Sequence, residues 1–410
     1  MNLQPILDTL LDDRIKGVPG GITPFPLRDI SRQDWNVLRQ DLPLPLAVLK
    51  KSALDHNSRV FREFLNEHKL SFAPHGKTTM APQLFQRQLD DGAWAITAAT
   101  VSQLQVYRQY GVSRVLFANQ LVGRQNVRYV LDELKRNPAF EFYCLVDSVE
   151  LVQQLADAVR DAGLKRPLAV LLEGGLDGGR TGCRTVGQAE AVLAAVRKAR
   201  GALALAGVEG FEGIAGGPSA EATAKVDRYL DFLRELLVLC EPDDPEFILT
   251  AGGSCYFDRV AEVFRGVRGR IVVRSGCYLT HDSGMLENFQ RQRGGPKLRP
   301  ALEVWSYVQS LPEPGLALLA MGRRDCSFDA GLPVPERWYR PGKGWLPIGE
   351  AKVTAFNDQH AYLHYAGMEL RVGDMLASGI SHPCTTFDKW KFLPVVDDEY
   401  SVVDGVLTFF

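Results

Sequence analysis

The chain has 410 residues, of which 46% are hydrophobic and 23% are charged, and its formal net charge is −2. This composition predicts a soluble globular protein with room for one large domain and a smaller one, and gives no support for nucleic acid or an anionic membrane as a partner. No apolar run approaches the about 20 residues that span a bilayer. The N-terminus makes a poor signal peptide, and seven cysteines without a CxxC pair indicate a reducing, cytoplasmic location.

Between residues 70 and 274, short β-rich runs alternate with longer helical patterns. Many of the runs are continuously apolar, as expected for strands with helices on one face and a core on the other. Every gap except the last contains a plausible helix, such as VSQLQVYRQYG or AEAVLAAVRKAR. Eight such strands favour a (β/α)8 barrel over a doubly wound sheet. The predicted strands are LSFA (70–73), AWAIT (93–97), RVLFA (114–118), FEFYCLV (140–146), PLAVLLE (167–173), LAGVEGFEG (205–213), EFILT (246–250) and RIVVR (270–274).

The C-terminal part of the sequence has a different pattern. After residue 290, alternating apolar residues, turns and prolines predict antiparallel β-structure. The apolar run PLAVLK (45–50) precedes the first barrel helix and is expected to join these strands. We therefore predict an α/β fold with a barrel over residues 54–288. The rest would form a β-domain, made of residues 1–53 with an N-terminal arm and residues 289–410.

The segment APHGKTT (73–79) follows the first predicted barrel strand and looks like a nucleotide phosphate loop. Such a loop needs a glycine where this chain has Ser71, and backbone N–H groups where it has Pro74, which has none. The sequence therefore excludes an NTPase loop. Lys77 instead follows a barrel strand at the end where active sites of such barrels lie, which makes it a candidate nucleophile. A surface lysine in a loop is the alternative.

Small residues follow the seventh and eighth predicted strands. TAGGSCYF places Gly253 and Ser254 at the start of a helix, and RSGCY provides the backbone N–H groups of Gly276 and Cys277. Barrels of this class often hold a phosphate in these two loops. GGRTG, after the fifth strand, places Arg180 at the same rim. A reactive lysine opposite a phosphate site suggests pyridoxal phosphate, whose aldehyde forms a Schiff base with lysine.

An ordered set of motifs runs from about residue 40 to the C-terminus. The motifs are PLAVLKKSALDHN, PHGKTT, GGRTG, TAGGS, VRSGCY, GD (373–374) and SHPC (381–384). Together they resemble the fold-type III pyridoxal-phosphate enzymes, which have the alanine-racemase-like fold. Within that fold the chain is most similar to the branch of D-serine dehydratases, D-threo-3-hydroxyaspartate dehydratases and D-threonine aldolases.

This resemblance implies a role for each matching residue. Lys77 would carry the cofactor, and Arg180 would lie near its phenolic oxygen or the substrate carboxylate. Arg274 would face the pyridine nitrogen, where a permanent cation keeps the ring unprotonated and weakens it as an electron sink. His75 would stack near the cofactor or fill space, and Tyr278 would join the phosphate site or pack. The phosphate would be held by Gly253, Ser254, Gly276 and Cys277.

SHPC contains a candidate metal site. His382 and Cys384 are two residues apart, so on a strand both side chains would face the same side. Imidazole plus thiolate suits zinc, although a His-x-Cys pair also arises by chance. The resemblance implies a metal here, because dehydratases of this branch carry one on a matching pair near the C-terminus. Aldolases of the branch have an acidic residue at the second position, so Cys384 favours a dehydratase.

The sequence departs from the family pattern at several positions. Ala73 and Thr79 stand where members commonly have Arg and His, and Gln359 replaces a glutamate beside His360. Substrate preference and the support of the metal site are therefore open.

The predicted activity is a metal-assisted β-elimination from a small 3-hydroxy-D-amino acid. Lys77 would act as general base, the metal on His382 and Cys384 would polarise the β-hydroxyl, and D-serine would give pyruvate and ammonia. A D-threonine aldolase, an amino-acid racemase and a non-catalytic pyridoxal-phosphate carrier are the alternatives. A racemase needs a second base that the sequence does not identify, and the added β-domain argues against a carrier. Fold analogy implies a homodimer.

Overall fold

A computed structural model describes all 410 residues, and the chain divides into two compact units. The first unit comprises Met1, Arg62–Lys77 and Gln88–Gly276. The second comprises Asn2–Phe61, Thr78–Arg87 and Cys277–Phe410. None of the helices combines the length and the apolar character needed to cross a membrane.

Six elements precede the barrel strands. They are α1 (Gln4–Leu7), β1 (Leu10–Leu11), β2 (Phe25–Pro26), a 3-10 helix (Leu27–Gln33), β3 (Leu46–Lys50) and α2 (Lys51–His68).

Eight parallel strands in the first unit form the predicted barrel, and all eight predicted strands are confirmed. From the second to the eighth barrel strand, each strand pairs with the next one in the chain, and the eighth also pairs with the first. The first and second barrel strands are joined by backbone hydrogen bonds from Trp94 to Phe72 (2.8 Å) and from Thr97 to Pro74 (2.9 Å). The strands are β4 (Ser71–Phe72), β5 (Ile96–Ala98), β6 (Arg114–Gln120), β7 (Glu141–Val146), β8 (Leu168–Gly174), β9 (Leu203–Gly210), β10 (Ile248–Ala251) and β11 (Arg270–Val273).

Helices occupy every gap between these strands. They are α3 (Pro82–Asp90), α4 (Val101–Gln109), α5 (Arg124–Arg136), α6 (Val149–Ala162), α7 (Val186–Lys198), α8 (Ala220–Cys240) and α9 (Phe257–Val263). The expectation that the last gap lacks a helix is wrong: α9 is there, but its seven residues make two turns, too few for a periodic pattern. Four of the helices start at side-chain caps that satisfy an otherwise unpaired N–H group. These caps are Thr100, Ser148, Thr185 and Ser219.

The barrel interior is filled by small and branched apolar side chains, as is typical of this fold. Seven of them are almost completely buried, so the barrel is a solid core, and its functional surface is limited to the strand ends. They are Ala73, Ala95, Leu116, Leu145, Leu171, Ile248 and Val272.

The second unit contains a ten-stranded sheet, as the alternating pattern predicts. Strand β3 pairs antiparallel with β12 and parallel with β19, which confirms the expected placement of PLAVLK. The remaining elements are α10 (Met285–Arg293), β12 (Leu302–Glu313), β13 (Leu316–Leu319), β14 (Val334–Arg340), β15 (Gly344–Leu346), β16 (Glu350–Phe356), β17 (Ala361–Ala366), β18 (Met375–Gly379), α11 (Cys384–Phe387), β19 (Phe392–Val396) and β20 (Val402–Leu407).

The GD motif has a structural role in this sheet. Gly373 has a φ of +91°, which favours glycine, and Asp374 is 1% exposed. The Asp374 carboxylate accepts hydrogen bonds from Nε1 of Trp338 (3.0 Å) and Nε of Arg340 (2.7 Å). The motif therefore ties the turn before β18 to β14.

Candidate active site

Side chains at the carboxyl ends of the barrel strands surround a cavity of about 200 Å³ in the first unit, here named the barrel cavity. Five residues predicted from the sequence line it: His75, Lys77, Arg180, Gly253 and Arg274. The structure thus brings the candidate lysine together with both candidate arginines. The other lining residues are Ala99, Ala118, Asn119, Glu173, Thr181, Glu209 and Phe211.

Lys77 lies in a 3-10 turn after β4, and its side chain is exposed. The preceding Gly76 is required by space, since a Cβ there would lie 2.4 Å from Oη of Tyr107 and 2.9 Å from Cγ2 of Ile96. That Oη donates to the carbonyl oxygen of Thr97, 3.2 Å away. Packing against a buried tyrosine therefore explains the glycine of the Gly-Lys pair that looks like a phosphate loop.

His75 is part of the barrel closure, where it forms a parallel bridge with Thr97. Its Nδ1 is buried and has no hydrogen-bond partner. Burial is the main reason that the pKa of His75 is far below its usual range, and the positive charges of Lys77, Arg274 and Arg180 lower it further. The imidazole is therefore neutral, and a ligand would be needed to pair its buried nitrogen.

Arg274, the cation expected at the ring nitrogen, is only 4% exposed and belongs to an ion pair. Its Nη2 lies 2.5 Å from Oε1 of Glu209 and donates to the carbonyl oxygen of Gly210 at 2.9 Å. Its Nη1 donates to Oγ1 of Thr250 at 2.9 Å. Arg274 therefore lines the barrel cavity as half of a buried pair with Glu209.

The two glutamates in this cavity wall differ in their partners. Glu173, at the end of β8, accepts from Oγ1 of Thr181 at 2.7 Å with one oxygen and from Nε2 of Gln120 with the other. Glu209, at the end of β9, is 2% exposed, and its Oε2 has no hydrogen-bond partner. Burial raises the pKa of Glu209 to about 8, opposed by Arg274 and increased by Glu173.

Arg180 is exposed in the loop between β8 and α7. Its guanidinium carbon lies 4.5 Å from the centroid of the Phe211 ring. A cation–π contact uses the face of the guanidinium and not its N–H groups. The contact therefore holds this cation at the barrel cavity in an orientation that can bind a carboxylate or a phenolate.

The glycine turn after β10 already binds a carboxylate. Glu212 is fully buried and accepts hydrogen bonds from the backbone N–H groups of Gly252 (3.0 Å) and Gly253 (2.7 Å). The Gly253 amide that we expected to bind phosphate is thus paired within the protein. Beside the turn, Oγ of Ser275 donates to Oγ of Ser254 at 3.2 Å.

The remaining residues of the predicted phosphate site are buried. Gly276 ends a segment of the first unit, and Cys277 and Tyr278 begin a segment of the second. The Tyr278 ring is 1% exposed and stacks on Phe61 with centroids 4.2 Å apart. Of the two roles expected for Tyr278, packing is the one supported by a contact.

In the second unit, His382 and Cys384 lie together, but not on a strand as expected. Both follow the end of β18; His382 has a φ of +113°, and Cys384 opens α11. The expectation of alternate positions on a strand is wrong, because the chain turns between them. The two side chains nevertheless interact, since Cys384 is the main cause of the raised pKa of His382.

Three further side chains complete this group, here named the His-Cys cluster. Nδ1 of His382 lies 2.6 Å from Oδ2 of Asp329, and Sγ of Cys384 lies 3.6 Å from Oγ1 of Thr78 and 3.8 Å from Sγ of Cys277. Its hydrogen bond with Cys384, together with Asp329, raises the pKa of His382 to about 9. Hydrogen bonds from Cys277, His382 and Thr78 hold the pKa of Cys384 well below its usual range. The Cys384 thiol therefore gives up its proton more readily than an ordinary thiol.

The donors of the His-Cys cluster fit a divalent metal. Thiolate and imidazole are zinc ligands, and a carboxylate on the other ring nitrogen orients a metal-binding histidine. No group of three or more His, Cys, Asp or Glu side chains is placed to hold a metal ion. A metal here would have two protein ligands, His382 and Cys384, and positions left for water or substrate.

Gln359, which stands where family members have a glutamate, forms a hydrogen bond with a carboxylate of the second unit. Its Nε2 donates to Oδ2 of Asp325 at 2.8 Å, and Asp325 also pairs with Lys16 at 2.7 Å. The carboxylate that supports His382 is Asp329, four residues further along the same segment.

Sequence reasoning missed four acidic residues in these sites. Glu173 and Glu209 carried a signal, because a charged residue at the carboxyl end of an apolar barrel strand points to the functional face. Glu212 and Asp329 carried none, since each acts on a segment about 40 or more residues away.

The residues of the barrel cavity fit pyridoxal phosphate. They provide a lysine for its aldehyde, a cation for an anionic oxygen, and two buried polar atoms without partners, Nδ1 of His75 and Oε2 of Glu209. Unpaired polar atoms inside a protein are costly, so they mark the places where a ligand would bind.

Known proteins resemble this chain along most of its length. Residues 301–396 match the family model described as "Putative serine dehydratase domain". The chain is 26% identical over 370 residues to a D-threonine aldolase from Arthrobacter sp., covering 86% of this chain and 89% of that protein.

Solved structures show the same fold. A D-threonine aldolase from Filomicrobium marinum superposes with a TM-score of 0.75 at 23% identity, covering 90% of this chain and 95% of that one. A D-threo-3-hydroxyaspartate dehydratase from Delftia sp. HT23 gives a TM-score of 0.73 at 20% identity, covering 91% and 99%. Alanine racemases share the fold at a greater distance.

Proposed function

We propose that this chain, which resembles dehydratases and D-threonine aldolases of the alanine-racemase-like fold, is a metal-assisted dehydratase of 3-hydroxy-D-amino acids. D-Serine is the simplest such substrate and would give pyruvate and ammonia.

The pairing of Cys384 with His382 is the observation that carries this proposal. Both residues lie within the segment that matches the serine dehydratase model, and Asp329 orients the imidazole. A divalent metal held there would supply a Lewis acid for a departing β-hydroxyl. A metal-free form is known for a variant of the related dehydratase, which supports a metal in that protein.

The residues of the barrel cavity have complementary roles. Pyridoxal phosphate, when bound, supplies an aldehyde that captures amines and a ring that withdraws electrons. The Lys77 amine holds the cofactor and then accepts the proton from the substrate α-carbon. Arg180, kept at the cavity by Phe211, binds an anionic oxygen of substrate or cofactor. His75 stays neutral and can pair through Nδ1 without adding charge.

Product analysis tests the proposal. Purified protein supplied with pyridoxal phosphate and zinc is given D-serine, D-threonine and the 3-hydroxyaspartate isomers, and 2-oxo acid and ammonia are measured before and after chelation. We expect both products in equal amounts and a loss of activity on chelation that zinc restores. Elimination that is unchanged by chelation would contradict the metal role.

A D-threonine aldolase is the second candidate, favoured by the similarity to the Arthrobacter enzyme along 86% of this chain. It would use the same lysine and metal pair but break the Cα–Cβ bond of D-threonine. Glycine and acetaldehyde in place of 2-oxobutanoate and ammonia would identify this activity.

A further inference from the structure

Glu209 is a buried carboxylate whose hydrogen bonds are incomplete. One oxygen pairs with Arg274 at 2.5 Å, whereas Oε2 is buried with no hydrogen-bond partner. The side chain is 2% exposed and lines the barrel cavity. A buried carboxylate oxygen without a partner is costly, and ligands commonly supply the missing bond.

The other buried glutamate of the same wall provides the contrast. Both oxygens of Glu173 accept hydrogen bonds from neighbouring side chains, Thr181 and Gln120. Glu173 is thus satisfied by the protein alone, and Glu209 is not. The difference points to a ligand at Glu209.

Arg274 already binds several groups of the protein, and this changes which side chain we expect to face the pyridine nitrogen of the cofactor. Its guanidinium donates to Thr250 and to the Gly210 carbonyl in addition to its pairing with Glu209. The cavity wall at this point therefore presents an arginine-bound carboxylic group. A pyridine nitrogen can share a proton with such a group, whereas an arginine can only donate to it.

The position of Glu209 on the barrel agrees with the shape of the cofactor. In pyridoxal phosphate the ring nitrogen is opposite the carbon that bears the aldehyde, which Lys77 would take. Lys77 follows β4, and β9, which carries Glu209, is three strands away around the barrel. The other unpaired atom, Nδ1 of His75, is only two residues from Lys77 in the chain.

We propose that Glu209 binds the pyridine nitrogen of the cofactor and shares a proton with it. This inference rests on the proposed function, because it requires pyridoxal phosphate in the barrel cavity. A shared proton restores the electron-withdrawing strength that a lone arginine would remove. Burial supports the role, since it raises the pKa of Glu209 to about 8 and so favours a proton on the carboxyl group.

Nitrogen-15 magnetic resonance of holoprotein reconstituted with ring-labelled pyridoxal phosphate tests the contact directly. In Glu209→Gln and Glu209→Asp, the ring resonance should shift toward that of a pyridine nitrogen without a shared proton. The control Glu190→Gln, an exposed change on α7, should leave it in place. An unchanged resonance in both Glu209 variants would overturn the proposal.

A measurement on the unsubstituted protein keeps the test independent of folding. The cofactor analogue with C–H in place of the ring nitrogen should bind roughly ten-fold or more weakly than pyridoxal phosphate, because it cannot pair with Glu209. Equal affinities would overturn the role of Glu209. If neither compound binds, the proposed function itself fails, so the two failures are distinguishable.

Discussion

Oδ2 of Asp329 lies 2.6 Å from Nδ1 of His382, and its other oxygen accepts from Oγ1 of Thr385 at 2.7 Å. The carboxylate therefore fixes the orientation of the imidazole. This contact joins two segments 53 residues apart in the chain.

Replacing Asp329 by Asn should weaken metal binding by about 10- to 100-fold, the usual effect of losing an outer carboxylate on a metal-binding histidine. Zinc affinity is measured by competition with a chromophoric chelator. Asp388→Asn is the control. Asp388 lies four residues after Cys384 and pairs with Lys389, and this variant should bind zinc normally. Equal affinities for the two variants would contradict the role of Asp329.

Replacing Gly76 by Ala should destabilise the first unit by about 1–3 kcal/mol, because the new methyl group overlaps Oη of Tyr107 and Cγ2 of Ile96. Denaturant unfolding measures the loss. A Cβ on Gly20 would have nothing within 4 Å, so Gly20→Ala should change little. A normally stable Gly76→Ala protein would show that packing does not account for this glycine.

Replacing Glu212 by Gln should cost about 1–3 kcal/mol, since one of the two glycine N–H groups would face an amide NH2. The turn after β10 should also exchange its amide hydrogens faster. Glu190→Gln, an exposed change on α7, is the control. Unaltered exchange at Gly252 and Gly253 would rule out Glu212 as the residue that holds this turn.

Glu209 should make the stability of the cofactor-free protein fall as pH rises. Its pKa is raised from 4.5 to about 8, so the folded state keeps a proton over a range in which the unfolded chain has released it. The unfolding free energy should therefore decline between about pH 4.5 and pH 8. In Glu209→Gln, which cannot titrate, urea unfolding should show a shallower decline. A constant difference between the two proteins over this range would contradict the raised pKa.

The barrel was predictable because its strands are continuous apolar runs separated by capped helices. The short α9 was not, since two turns carry too little periodicity, although Phe257 and Val260 are buried at helical spacing. PLAVLK has no place among the eight barrel strands, which predicts that it joins the sheet, and its pairing with β12 agrees.

The site was predictable where function follows a strand end and less so where it depends on distant contacts. His75, Lys77, Arg180, Gly253 and Arg274 line one cavity because the loops after four barrel strands meet at the same end of the barrel. The sequence alone does not predict which charged and polar groups pair with each other in the folded site. Glu212 reaches a glycine turn 40 residues later, and no local pattern marks it.

The central claim is that Lys77 carries the cofactor, and chemical trapping tests it most directly. Protein supplied with pyridoxal phosphate is reduced with borohydride, digested and sequenced by mass spectrometry. The account predicts a phosphopyridoxyl group on Lys77 and none in Lys77→Arg. A label on another lysine, or no label at all, would contradict it.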